Sequence, residues 1–147
     1  MRRTVTLISM CLLFVICLAG PATVPAADPD PGIEQAARDY IEGWFEGNAE
    51  RMERALHPAL VKRAFLPDRT TGEVGLREMT KEQLVDYTRR GGGSETGVAA
   101  AQITVQILDV SGDIATVKTT CKDFIDYLHL ARVDGRWKIM NVLWQLN

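Results

Sequence analysis

The sequence predicts an α+β fold, with three helices packed on one face of a curved, mostly antiparallel sheet. Three observations carry this. Helical periodicity is gathered in the early part of the chain and alternating strand patterns in the late part, the order that sets helices on one side of a sheet. Asp134-Gly135 is a two-residue turn whose central residues accept positive φ, so Phe124 to Gln145 reads as a tight hairpin. Neither face of that hairpin is plainly solvated. With Val133 opposite Arg136, one face carries Phe124, Asp126, Leu128, Leu130 and Arg132 with Trp137, Ile139, Asn141, Leu143 and Gln145. The other carries Ile125, Tyr127, His129, Ala131 and Val133 with Arg136, Lys138, Met140, Val142 and Trp144. A sheet wanted on both faces needs helices on one side and a second partner on the other.

The 147-residue chain opens on a processing signal, expected to span residues 1–26. Arg2 and Arg3 form a basic start. Thr4 to Leu18 is an apolar run shorter than the ~20 residues of a spanning helix. Gly20 and Pro21 break it, and Val24-Pro25-Ala26 suits cleavage after Ala26. Retention as an anchor is the alternative. Cys11 and Cys17 follow Met10 and Ile16, not the small residue of a lipoprotein site, so the expectation is export and release to the periplasm or beyond. The mature part has roughly 120 residues, enough for one core. The formal net charge of −2 becomes more negative once Arg2 and Arg3 leave, which excludes nucleic acid and, after signal removal, an acidic membrane as expected partners. Cys121 is then the one remaining cysteine, so no internal disulfide forms, and a small buried apolar role is expected for it.

A proline- and acid-rich linker is expected over residues 27–35 and the domain over 36–147, although helical periodicity already begins at Ile33. Ile33, Ala36, Ala37, Tyr40, Ile41, Trp44 and Phe45 make one stripe up to Glu46, and Gly47 suits the position past a helix end. Asn48 can cap a short second helix with Met52, Ala55 and Leu56 inside. It should stop near His57, because Pro58 follows. Leu60 to Leu66 reads as a strand, with a short return strand from Val74 to Met79. Thr80-Lys-Glu-Gln83 fits a capping box opening a third helix. Arg89 and Arg90 suit its C-terminal dipole, and Gly91-Gly92-Gly93 ends it. The tract to Ala101 is expected to be mobile. Ile103 to Leu108 and Ile114 to Lys122 form two further strands around Ser111-Gly112-Asp113, and the hairpin completes the sheet.

Three stretches in this order resemble a known family: YIEGWFEGNAERMERALHPALVKR (Tyr40 to Arg63), LREMTKEQLVDYTRRGGG (Leu76 to Gly93) and DYLHLARVDGRWKIMNVLW (Asp126 to Trp144). The chain is similar to the nuclear transport factor 2-like (cystatin-like, ketosteroid-isomerase-like) superfamily, and within it to the putative lumazine-binding proteins. The resemblance implies a cone in which three helices close the concave sheet face and leave a pocket at the open end. It also implies a homodimer through the outer sheet face. It does not imply one activity, since this scaffold carries isomerases, dehydratases, binders and assembly modules.

Candidate sites follow from the residues. A carboxylate in an apolar cavity has its charged form disfavoured, which suits a general base or acid, and Asp126 is the candidate. Asn141 and Tyr40 can donate hydrogen bonds beside it. His57 and His129 are weaker catalytic candidates. The hairpin register sets His129 and Tyr127 opposite Asp126, and His57 sits at a helix-to-strand junction where capping or packing is the commoner role. Tyr40, Trp44, Lys62, Tyr127 and Asn141 are the expected ligand-binding residues. Trp44 or Tyr40 can stack on a flat ligand, and of Lys62 and Arg63 one can enter the cavity and meet an anion while the other is solvated. No metal or cofactor is expected, because His57, His129 and Cys121 make no ligand spacing. The expected function is binding of a small apolar or aromatic molecule without a defined reaction. The alternatives are an isomerase or dehydratase using a pocket carboxylate or His, and a protein-interaction module.

Overall fold

A computed structural model describes residues 29–147; the signal expected over residues 1–26 lies outside them. Helix α1 runs Pro31–Glu46. It starts where Asp30 accepts a 2.8 Å hydrogen bond from the Gly32 amide and Pro31 supplies a pre-set φ at the first position. The segment read as a linker over 27–35 is therefore helical from Pro31 onward, with Ile33 fully buried. Gly47 ends α1 in the left-handed region at φ 65°. Helix α2, Ala49–Ala55, is capped by Asn48, and α3, Lys81–Arg89, opens on the reciprocal Thr80–Gln83 box. Among the described residues no helix is long and apolar enough to cross a membrane.

Six strands follow the helices or lie between them: β1 Leu56–Pro67, β2 Val74–Thr80, β3 Thr104–Ser111, β4 Ile114–Thr120, β5 Phe124–Val133 and β6 Arg136–Leu146. They form one curved, unclosed sheet in the order β2-β1-β6-β5-β4-β3. All neighbours are antiparallel except β1 and β6. The helices cover the concave face, and the core between the layers holds Ile33, Tyr40 and Ile41 from α1 against Leu128, Leu130, Ile139 and Val142 from the last hairpin. The tract read as mobile contains two single 3-10 turns, Ser94–Thr96 and Ala100–Gln102.

The hairpin turn is as read: Asp134 and Gly135 take φ 49° and 73°, and Val133 faces Arg136. The register does not run back unbroken. Leu130 faces Ile139, but His129 faces Asn141, so Met140 is an extra residue in β6. Because side chains alternate with a period of two, one extra residue reverses every later side chain on that strand. Val142 and Trp144, expected outside, turn inward beside Leu128 and Asp126. Asn141, Leu143 and Gln145, expected inside, turn outward beside His129, Tyr127 and Ile125.

Candidate functional site

A cavity of about 370 Å³ opens between the end of α1, the end of α3 and the Phe124 end of the β5–β6 hairpin. Its walls are chiefly apolar: Trp44 and Phe45 from α1, Met79 from β2, Leu84 from α3, Phe124 from β5 and Trp144 from β6. Phe45 and Phe124 stack with ring centroids 5.8 Å apart, and Trp144 meets Phe124 edge-on at 5.9 Å. The glycine run after α3 forms part of the rim. The Gly93 amide donates to the Trp44 carbonyl at 3.0 Å, and a Cβ on Gly93 would fall 2.5 Å from the Trp44 indole nitrogen. Only glycine lets the backbone pass so close to that ring.

The cavity floor is polar. Lys62 projects from β1 into the aromatic walls, with its ammonium 4.6 Å from the Trp144 ring centroid, 5.2 Å from Tyr40 and 5.5 Å from Phe124. Ring faces attract a cation most strongly when water is excluded, and Lys62 is only 7% exposed. Its Nζ donates to the Tyr40 hydroxyl at 2.5 Å and to Asp126 Oδ1 at 3.0 Å. Tyr40 donates in turn to Asp126 Oδ1 at 3.2 Å, and the Thr119 hydroxyl to Oδ2 at 3.1 Å. Burial, with the neighbouring Asp126 charge, pushes the Tyr40 phenol well above its ordinary value of 10, so this hydroxyl stays protonated.

The arrangement differs from a lone carboxylate in an apolar pocket. Asp126 is fully buried, but it sits behind the cavity wall, and both its oxygens accept hydrogen bonds. A ligand meets Lys62 and Tyr40 first. An ammonium has three donors, and two are engaged here, so one remains to reach an acceptor in the cavity.

Of the residues expected from the sequence, Tyr40, Trp44 and Lys62 come together around this cavity. Asn141 and Tyr127 do not, which corrects their expected role as ligand contacts. The extra residue at Met140 sends Asn141 to the outer face, where it accepts from Arg63 Nη1 at 3.2 Å. Tyr127 is 44% exposed on the same face, beneath Lys118. His129 is exposed there too. His57 lies at the far end of β1, its Nδ1 accepting the Ala59 amide at 3.1 Å, so neither histidine reaches Asp126 or the cavity. Cys121 is buried, with its thiol on the Phe124 carbonyl at 3.3 Å. Phe124, which the sequence set on the inner face, was not among the expected ligand contacts, nor were Trp144 and Thr119. The signal for Trp144 was present: Trp137 and Ile139 keep one phase of apolar alternation, Val142 and Trp144 the other, and a phase slip marks a bulge.

Solved structures with similar folds are NTF2-like proteins described as of unknown function. One from Silicibacter pomeroyi is 15% identical, covering 80% of this chain and 94% of its own, with a TM-score of 0.58. One from Shewanella baltica is 16% identical, covering 80% and 92%, also at 0.58. One from Methylobacillus flagellatus is 21% identical, covering 80% and 90%, at 0.54. These likenesses establish the fold alone. No curated protein matches the sequence. The family model described as putative lumazine-binding matches residues 28–145, nearly all of the fold and every residue of the cavity but Leu146, and the chain belongs to that family.

Proposed function

We propose that the domain binds a small, flat, mostly apolar or aromatic molecule in the cone, with a hydrogen-bond acceptor or an anionic group at the end that meets Lys62. The observation that carries this is an apolar cavity of about 370 Å³ with a single buried ammonium at its floor. That volume lies within the range of small-molecule sites, and an apolar lining with few convergent polar groups is their usual make-up. The unfilled space speaks against an interaction module whose interior is plugged by its own side chains. The place of Asp126 behind the cavity wall speaks against the isomerase or dehydratase reading, because a general base must come within hydrogen-bond reach of the proton it takes.

The test is thermal unfolding of the mature protein against pterins, flavin precursors, steroids and small aromatic carboxylates. A ligand held at a hundred times its dissociation constant adds ~2.7 kcal/mol. The expected result is a concentration-dependent shift that Trp44→Ala and Lys62→Met abolish and Asn141→Asp leaves intact. A shift equally sensitive to Asn141→Asp would place the ligand elsewhere and sink the proposal, as would none across the panel.

The reading includes assembly and location. The outer sheet face exposes Phe65, Leu76, Tyr127 and Leu143, with Phe65 paired to Leu76 and Tyr127 to Leu143. Exposed apolar pairs of this kind, here flanking the Arg63–Glu78 ion pair, suit an interface between two copies of the chain. Light scattering should give a dimer mass that Leu143→Lys reduces to a monomer. Export through the leader, with cleavage near Ala26, predicts a secreted or periplasmic product whose intact mass begins at Ala27.

A further inference from the structure

The end of the hairpin opposite the cavity carries a second indentation, of about 520 Å³. Three parts of the fold meet there. His57 comes from the start of β1, Lys81 from the first position of α3, and Arg136 and Lys138 from the start of β6. Arg54, in the last turn of α2, lies nearby with its guanidinium forked onto Asp39. These charges are distant in sequence, and folding alone brings them together.

The cations there are poorly neutralised. Lys138 is half-buried, and its ammonium donates to the Arg54 carbonyl. Among the described residues neither Lys138 nor Arg136 has a carboxylate within 4 Å. Lys81 reaches Glu53 only at 3.8 Å, beyond hydrogen-bond range, and Glu53 is largely exposed. Asp134 lies on the rim in the exposed turn. The buried carboxylate of this end, Asp39, is committed to Arg51 and Arg54. Burial first, then the charges of Lys81, Arg136 and Arg54, hold Lys138 below its ordinary value of 10.5, against the opposing charge of Asp39. His57 adds a neutral donor. Its Nδ1 accepts the Ala59 amide, which leaves the ring proton on Nε2.

We infer that this indentation binds a small multiply charged anion of the phosphate or phosphomonoester class, held by Lys81, Arg136 and Lys138 with His57 as a neutral donor. An arginine and two lysines around one concavity supply both a planar fork and point charges to phosphate oxygens. The site is independent of the apolar cavity, which lies at the other end of the same two strands.

The experiment is isothermal titration of the full chain with inorganic phosphate and pyrophosphate at low ionic strength, with sodium chloride at matched ionic strength as the control. A second arm uses vesicles containing phosphatidic acid, which separates a lipid headgroup from a free anion. The expected result is saturable binding of a phosphate species in at least one arm. Arg136→Gln and Lys81→Gln should each weaken it about tenfold, the size of losing one charge-assisted hydrogen bond. Arg69→Gln, an exposed cation in the β1–β2 loop, and Trp44→Ala, in the cavity wall, should leave it unchanged. Binding in neither arm overturns the inference. So does binding that Arg69→Gln weakens as much as Arg136→Gln, which is diffuse attraction, or binding that Trp44→Ala abolishes, which is occupancy of the cavity.

Discussion

Asp39 and Asp126 are both buried carboxylates held by cations, and they are built to different ends. Asp39, on α1, faces two arginines. Arg54 forks onto it at 2.8 and 3.1 Å, and Arg51 reaches it at 3.0 Å while also holding Glu42 at 2.6 Å and Glu46 at 2.7 Å. Both guanidinium groups are turned onto carboxylates of α1, so the cluster clasps α1 to α2. Asp126 faces one lysine and two hydroxyls, with an empty apolar cavity in front of that lysine. The guanidinium cluster closes on itself. The ammonium cluster keeps one donor unspent, at a buried position where a hydrogen bond is electrostatically stronger than in bulk water.

The largest effect is expected at the cavity floor. Asp126→Ala removes the partner of a buried ammonium, and the loss should be about 3–5 kcal/mol. Replacing both members, Asp126→Leu with Lys62→Met, should restore most of it, since no unpaired charge then remains. Urea unfolding measures both. A single substitution costing no more than the double would mean that Lys62 finds another partner or escapes to water.

Asp39→Asn should cost less, about 1–3 kcal/mol, because Arg51 and Arg54 keep other partners or solvent. This cluster also has a pH signature. Burial raises the pKa of Asp39, but hydrogen bonds from Arg54 and Arg51 outweigh it and hold the carboxyl below its ordinary value; Glu42 is likewise held down by Arg51 and Arg38 against burial. A carboxylate with a depressed folded pKa contributes stability that is present above its unfolded value, near ~4, and is lost as pH falls through the folded value. Unfolding midpoints at successive pH values below 5 should therefore fall more steeply for the wild type than for Asp39→Asn. Parallel curves would show that Asp39 is not held as described.

Tyr40→Phe is the smallest expected change, about 1 kcal/mol. It deletes the hydroxyl between Lys62 and Asp126 but leaves their direct contact at 3.0 Å. It should therefore shift the unfolding midpoint only slightly. A loss as large as that of Asp126→Ala would make the tyrosine, not the carboxylate, the main support of the lysine.

The elements that depend on local chemistry were legible in the sequence. The stripe from Ile33 to Phe45, the Thr80–Gln83 box and the Asp134-Gly135 turn each state their own geometry. The inner position of Asp126 was legible too, because β5 has no extra residue and alternates cleanly from Asp126 to Leu130. Asn141 was misplaced because one extra residue in β6, at Met140, has no local signature such as glycine and shows only as a phase slip between Ile139 and Val142. Lys62 and Arg63 could not be told apart by sequence, because alternation says that one is inside and not which. The Asp39 clasp was missed altogether, since Arg51 and Arg54 reach it from a different helix.

The position of β6 has a consequence for how the chain acquires its shape. It is the last strand in the sequence, yet it sits between the β1–β2 hairpin and the β5–β4–β3 meander and is hydrogen-bonded to both. Contacts across its junction with β1, such as Arg63 with Asn141, join residues 78 positions apart. Closing so long a loop must precede any gain from the pairing, and topologies dominated by such contacts fold slowly. During synthesis the two halves of the sheet emerge with facing edges open and no strand to join them. The domain gains its cooperativity only when its final segment arrives, so the unfinished chain stays pliable, and a premature stop before Arg136, where β6 begins, would leave two unjoined pieces of sheet rather than a smaller version of the same fold.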